Sequence, residues 1–114
     1  MPLAKLQTNI AINEADHSTV LKRLSTLVAG ELGKPESYVM VVIEPDTAML
    51  FAGTDDPTGY LELKSIGLPE AKTKQLSSAL CTFINEQLGI EKDRIYIEFA
   101  DAARVMWGWN GATF

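Results

Sequence analysis

The chain has 114 residues, a length that suits one domain and allows a hydrophobic core without disulfide or metal staples. Its net charge is −5 with no basic cluster, which argues against nucleic acid and anionic membranes, since both need Lys/Arg to displace counterions. One cysteine and one histidine leave no internal disulfide and too few ligands for a Cys/His zinc site, and no apolar run approaches the ~20 residues of a membrane helix.

The N-terminus, MPLAKLQTNI, lacks the basic-then-apolar layout of a signal peptide, so a cytoplasmic location is expected. A strand-like segment runs from Leu3 to Ile10. Asn13 or Asp16 is then placed to cap a helix. Its apolar face is Val20, Leu24, Leu27, Val28 and Leu32, at helical spacing. Gly33 ends it, because glycine takes left-handed backbone at little cost. A β-rich run, Tyr38 to Ile43, follows, and its stretch Val39 to Ile43 is apolar on both sides.

The pattern then returns with an offset of 56 residues, from Gly33 to Gly89. Tyr60 to Ile66 alternates like a strand. Pro69 suits the first turn of a second helix, where its missing N–H costs little. Leu76, Leu80, Phe83, Ile84 and Leu88 repeat the first helix's spacing up to Gly89, and Arg94 to Phe99 is the last β-rich run. Cys81 reads as a packing residue on the helix face and His17 as a surface residue near a helix start.

The chain therefore reads as β-α-β, link, β-α-β. This is an α/β fold with a four-stranded mixed sheet and both helices on one face. A single domain spans 1–114, with pseudo-repeats at about 2–45 and 58–101 and a tail at 102–114. Two helices cover one sheet face only. The two-sided apolarity of the second strand predicts that another subunit covers the other face, with the aromatic tail packing there too. No phosphate-binding glycine loop, Cys-x-x-Cys pair or Gly-x-Ser-x-Gly elbow is present, so any chemistry must come from elsewhere.

Several short motifs then fall in a specific order: Pro2 after the initiator, Gly33-Lys34-Pro35, Lys64-Ser65-Ile66-Gly67, Asp93-Arg94-Ile95-Tyr96-Ile97, and Gly108-Trp109-Asn110-Gly111 before Thr113-Phe114. Over its whole length the chain resembles the macrophage migration inhibitory factor family of the tautomerase superfamily. The resemblance implies a homotrimer with sheets inward and helices outside. It also implies a cofactor-independent keto–enol tautomerase of the phenylpyruvate or dopachrome type, acting on a small α-keto acid or its enol. The alternative is a cytokine or binding protein in which turnover is incidental. Family members can leave cells without a signal peptide.

By the same resemblance, Pro2 is the catalytic base once Met1 is removed. A terminal amine titrates near ~8, and burial beside a lysine lowers that value toward the range a general base needs. On its own, Pro2 would read as the start of an edge strand and Lys34 as a surface lysine near a helix end. The resemblance makes Lys34 a ligand for the substrate's carboxylate or enolate oxygen, assisted by the backbone N–H at Ile66 and by Ser65 beside it. Tyr96 closes the pocket from the neighbouring subunit, and Tyr38, Trp107, Trp109 and Phe114 form an aromatic wall. No metal site is implied.

Two positions and one four-residue stretch depart from human-type members. Glu98 replaces an asparagine, and would repel an anionic keto acid or raise the Pro2 pKa. Trp107 replaces a smaller aliphatic residue and narrows the pocket mouth. Thr58-Gly59-Tyr60-Leu61 stands where they carry Cys-x-x-Cys, so a thiol oxidoreductase activity does not carry over.

Overall fold

The computed structural model describes residues 1–114. Its first half is β1 (Leu3–Thr8), α1 (Glu14–Leu32) and β2 (Met40–Glu44). Its second half is β3 (Gly59–Ile66), α2 (Thr73–Leu88) and β4 (Ile95–Ala102). A small hairpin, β5 (Gly108–Trp109) with β6 (Ala112–Thr113), closes the chain. The main sheet has the order β2-β1-β3-β4. Its outer pairs are parallel and its central pair, β1 with β3, is antiparallel, so the sheet is mixed as predicted.

The core lies between sheet and helices. Val20, Leu24, Val28 and Leu32 of α1 and Leu76, Leu80, Phe83 and Ile84 of α2 are buried against Ala4, Leu6, Leu61 and Leu63. Leu27, Leu88 and Cys81 pack at its margin. Each helix ends at a left-handed glycine, Gly33 (φ 62°) and Gly89 (φ 70°), as the sequence pattern requires.

Four local expectations change. Neither Asn13 nor Asp16 makes a side-chain cap. The Asp16 N–H donates to the Asn13 carbonyl at 2.8 Å, and the His17 ring bonds the Ile12 carbonyl at 2.8 Å, so His17 braces the helix start. Pro69 precedes a 3-10 turn, Glu70–Lys72, and α2 itself begins at Thr73. Tyr38 ends a 3-10 turn, Glu36–Tyr38, before β2 begins.

The fourth change concerns the open sheet face. Only β2 is apolar on both sides. Elsewhere strand alternation places Lys5, Gln7, Tyr60, Glu62, Lys64 and Glu98 there, and β2 itself adds Glu44. These groups pair with one another: Lys5 with Glu44 at 3.5 Å, Gln7 with Glu44 at 2.8 Å, and Lys64 with Glu62 at 3.5 Å. The tail does not lie on this face. It folds back on Tyr38 beside the start of β2.

Candidate active site

The site is assembled at the end of the sheet where β1 and β2 begin and β3 ends. Pro2 directly precedes β1 and is buried. Its carbonyl accepts the Met40 N–H at 3.0 Å, which locks it to the start of β2. Because β3 runs antiparallel to β1, its C-terminal residues Lys64 to Ile66 arrive at this same end of the sheet. Lys34 is delivered by a full helix stop. With Gly33 in left-handed backbone, the Lys34 N–H donates to the Ala29 carbonyl at 3.0 Å and the Gly33 N–H to the Gly30 carbonyl at 3.4 Å. The Lys34 ammonium then donates to the Ile66 carbonyl at 3.3 Å.

A cleft of about 440 Å³ opens beside Pro2. Met1, Tyr38, Met40, Trp107, Trp109 and Phe114 form most of its wall. The Tyr38 ring meets Trp109 edge-on at 5.6 Å and Phe114 edge-on at 5.9 Å, while Trp109 and Phe114 stack at 5.4 Å. The tail reaches this place through an Asn110-Gly111 turn with positive φ at both residues (53° and 78°), the geometry a two-residue hairpin needs. The Phe114 N–H donates to the Trp107 carbonyl at 3.2 Å and pins the chain end to the wall.

The electrostatics of this corner disfavour a protonated amine. Met1 is attached here, so the Pro2 nitrogen is an amide and the terminal amine is that of Met1. Desolvation, and then the positive charge of Lys34, hold this amine below its ordinary value near 8.

Pro2, Tyr38, Trp107, Trp109 and Phe114 thus line one cleft, and Lys34 sits with Ile66 close enough to act on the terminal amine. Ser65 is placed differently from expectation. Its hydroxyl is fully buried and donates to the Ile66 carbonyl at 3.3 Å, so it shapes the turn and offers no free donor. Tyr96 and Glu98 do not line the cleft. Tyr96 pairs with Tyr60 at the opposite end of the sheet, and Glu98 lies mid-strand on the open face. Sequence reasoning missed Met40, a wall residue. Its signal is the parallel pairing of two short strands, which sets Met40 against Leu3. A wider trough of about 740 Å³ lies along the outer helix surface at Leu27 and Phe83. It is open, and its lining holds neither the terminal amine nor the Tyr38, Trp109 and Phe114 rings.

Glu98 is engaged within its own chain. The single hydroxyl proton of Tyr60 serves both Glu98 and Glu62, each at 3.2 Å. Desolvation, then these two carboxylates, push the Tyr60 hydroxyl up from about 10 to about 12. A raised folded value means the native state holds this proton more tightly than the unfolded chain does. Its stabilisation is therefore complete below pH 10 and lost as pH climbs toward 12. Tyr60→Phe is expected to flatten that alkaline loss, read as the change in urea midpoint between pH 9 and 11.5 against the parent chain.

Comparison with known proteins gives a consistent result. The family profile of macrophage migration inhibitory factor matches residues 1–114. A macrophage migration inhibitory factor homolog of Brugia malayi is 40% identical over 115 residues, covering all of this chain and 99% of that protein. The mouse macrophage migration inhibitory factor is 36% identical with the same coverage. Among solved structures, the homologue from Prochlorococcus marinus superposes with a TM-score of 0.93 at 43% identity, covering 98% of both chains. The Trichinella spiralis protein gives 0.90 at 38%, covering 98% of this chain and 99% of that one. The chain belongs to the macrophage migration inhibitory factor family, within the tautomerase superfamily.

Proposed function

We propose that this protein is a cofactor-independent keto–enol tautomerase that acts on small α-keto acids of the phenylpyruvate type, with the Pro2 amine as general base. The observation that carries the reading is the terminal amine at an aromatic cleft, held below its ordinary pKa by desolvation and by Lys34. In this reading, removal of Met1 exposes a secondary amine, one residue further into the fold at a buried position, to the same two causes. A larger neutral fraction near pH 7 is what a general base needs.

The amine takes a proton from the carbon beside the keto group. The C–H electron pair becomes the new C=C bond, and the keto oxygen gains the negative charge and then the proton. Lys34 faces that charge. One of its three N–H donors is committed to the Ile66 carbonyl, which leaves two for the substrate. The Ile66 N–H is assigned as a second donor. The stacked Trp109 and Phe114 rings favour a flat phenyl-bearing substrate.

The working assembly in this reading is a homotrimer in which a neighbouring copy brings Tyr96 and Glu98 to the cleft. Both are solvent-exposed in the single chain and absent from its own cleft. No helix is long and apolar enough to cross a membrane. A cytoplasmic enzyme is the proposal, although the family includes cytokine-like as well as tautomerase-active members.

Intact mass read beside phenylpyruvate turnover on one sample tests the reading. A chain lacking Met1 is expected to exceed a Met1-retaining chain by about 10²-fold or more, the scale of a general base. Turnover at the buffer rate from a chain shown to lack Met1 would sink the enzyme reading for this substrate class and favour a binding role.

A further inference from the structure

The loop joining β2 to β3, residues 45–58, has left-handed backbone at Asp46, Ala52 and Gly53, and its only β-bridge joins Phe51 to Thr54. Such a segment leaves many carbonyls without ladder partners. One side chain reaches four carbonyls of this segment, two of them, Phe51 and Thr54, already paired across the bridge. The Arg94 guanidinium donates through Nε to Pro57 at 2.9 Å, through Nη1 to Phe51 at 3.2 Å, and through Nη2 to Thr54 at 3.3 Å and Asp56 at 3.0 Å. The same guanidinium stands 5.2 Å from the centre of the Phe51 ring. Phe51 in turn meets the Tyr96 ring edge-on at 4.8 Å.

The internal repeat sharpens this arrangement. Arg94 and Tyr38 hold equivalent places, each the last residue of a 3-10 turn one or two residues before its strand. In the first half that place supplies a ring to the cleft wall. In the second half it supplies a guanidinium whose contacts end on a ring, Tyr96, that is 65% exposed.

We propose that Arg94 is a positioning residue for substrate binding: by folding residues 51–57 around its guanidinium it fixes Phe51, and through Phe51 the Tyr96 ring. The inference rests on the tautomerase reading, in which Tyr96 walls a neighbouring copy's cleft. Arginine suits the task because its planar fork carries five N–H donors, whereas a lysine has three on one point charge. Arg94 touches no substrate. Its effect is on binding, and passes through Tyr96.

Arg94→Lys keeps the charge and gives up most of the carbonyl bonds. It is expected to raise KM for phenylpyruvate about five-fold, the scale of one aromatic contact, with kcat within about twofold. Phe51→Leu leaves the main-chain carbonyl in place and is expected to raise KM similarly, which covers the case in which Arg94→Lys does not fold. In a Tyr96→Ala background neither change should raise KM further. Ring-labelled tyrosine gives an independent readout by NMR, since the chain has three tyrosines: the Tyr96 signals should move in both variants while those of Tyr38 stay. Unmoved Tyr96 signals overturn the proposal, as does a KM rise that persists undiminished without Tyr96. If the parent chain lacking Met1 shows no turnover, the tautomerase reading falls, and the Tyr96 signals alone still decide whether Arg94 holds that ring.

Discussion

Pro2→Gly, in a chain processed at Met1, is expected to lower kcat/KM for phenylpyruvate by about 10²-fold, the low end of what a general base supplies. The substitution leaves an amine at the terminus, so the loss comes from placement and basicity. The proline ring is buried, and its carbonyl holds the Met40 N–H at 3.0 Å. Glycine keeps the carbonyl bond and hence the register of β1 against β2. It removes the packed ring and frees the terminal torsion, so the nitrogen leaves the attack geometry for much of the time. The secondary amine also becomes a primary one. Core packing is untouched, because Leu6, Leu24 and Leu61 lie deeper between sheet and helices. A normal unfolding midpoint with lost turnover therefore assigns the effect to the base. Full turnover by the glycine variant would remove Pro2 from the mechanism.

The two helices were legible because each satisfies several local rules at once. Val20, Leu24, Val28 and Leu32 hold one face, and Gly33 stops the helix where the face ends. The same agreement in α2 exposes the repeat. Pairing of distant strands was legible as topology, since a helical crossover returns the chain parallel to its start. The alternation of Glu62 and Lys64 with Leu61 and Leu63 marks β3 as a strand, but which charges meet on the open face depends on strand order and register. Pairings such as Gln7 with Glu44 span 37 residues, and no local pattern announces them. The site divides in the same way. Lys34 follows from a helix stop and a motif, whereas the role of Met40 and the Arg94–Phe51–Tyr96 contact depend on which turns the fold brings together.

Lys34→Met is expected to cost about 10²- to 10³-fold in kcat/KM, the scale measured when one donor to a developing oxyanion is removed. It should also move the acid limb of the pH profile. The sign follows from the charge. Lys34 repels a proton on the Met1 amine and, after desolvation, is a cause of its lowered pKa; in the tautomerase reading it acts in the same sense on the Pro2 amine of the processed chain. Removing that charge favours the protonated amine, so its pKa rises and the limb moves to higher pH. At neutral pH the variant then suffers twice, through a smaller neutral fraction and through an unscreened enolate. Lys34→Arg separates the two effects. It restores the charge, and so returns the limb toward its parent position. It presents a planar fork in place of an ammonium 3.3 Å from the Ile66 carbonyl, so turnover recovers only in part. A Lys34→Met profile whose limb does not move, with kcat/KM within twofold of the parent, would place Lys34 outside the site and return it to the surface helix end where its sequence position alone would put it.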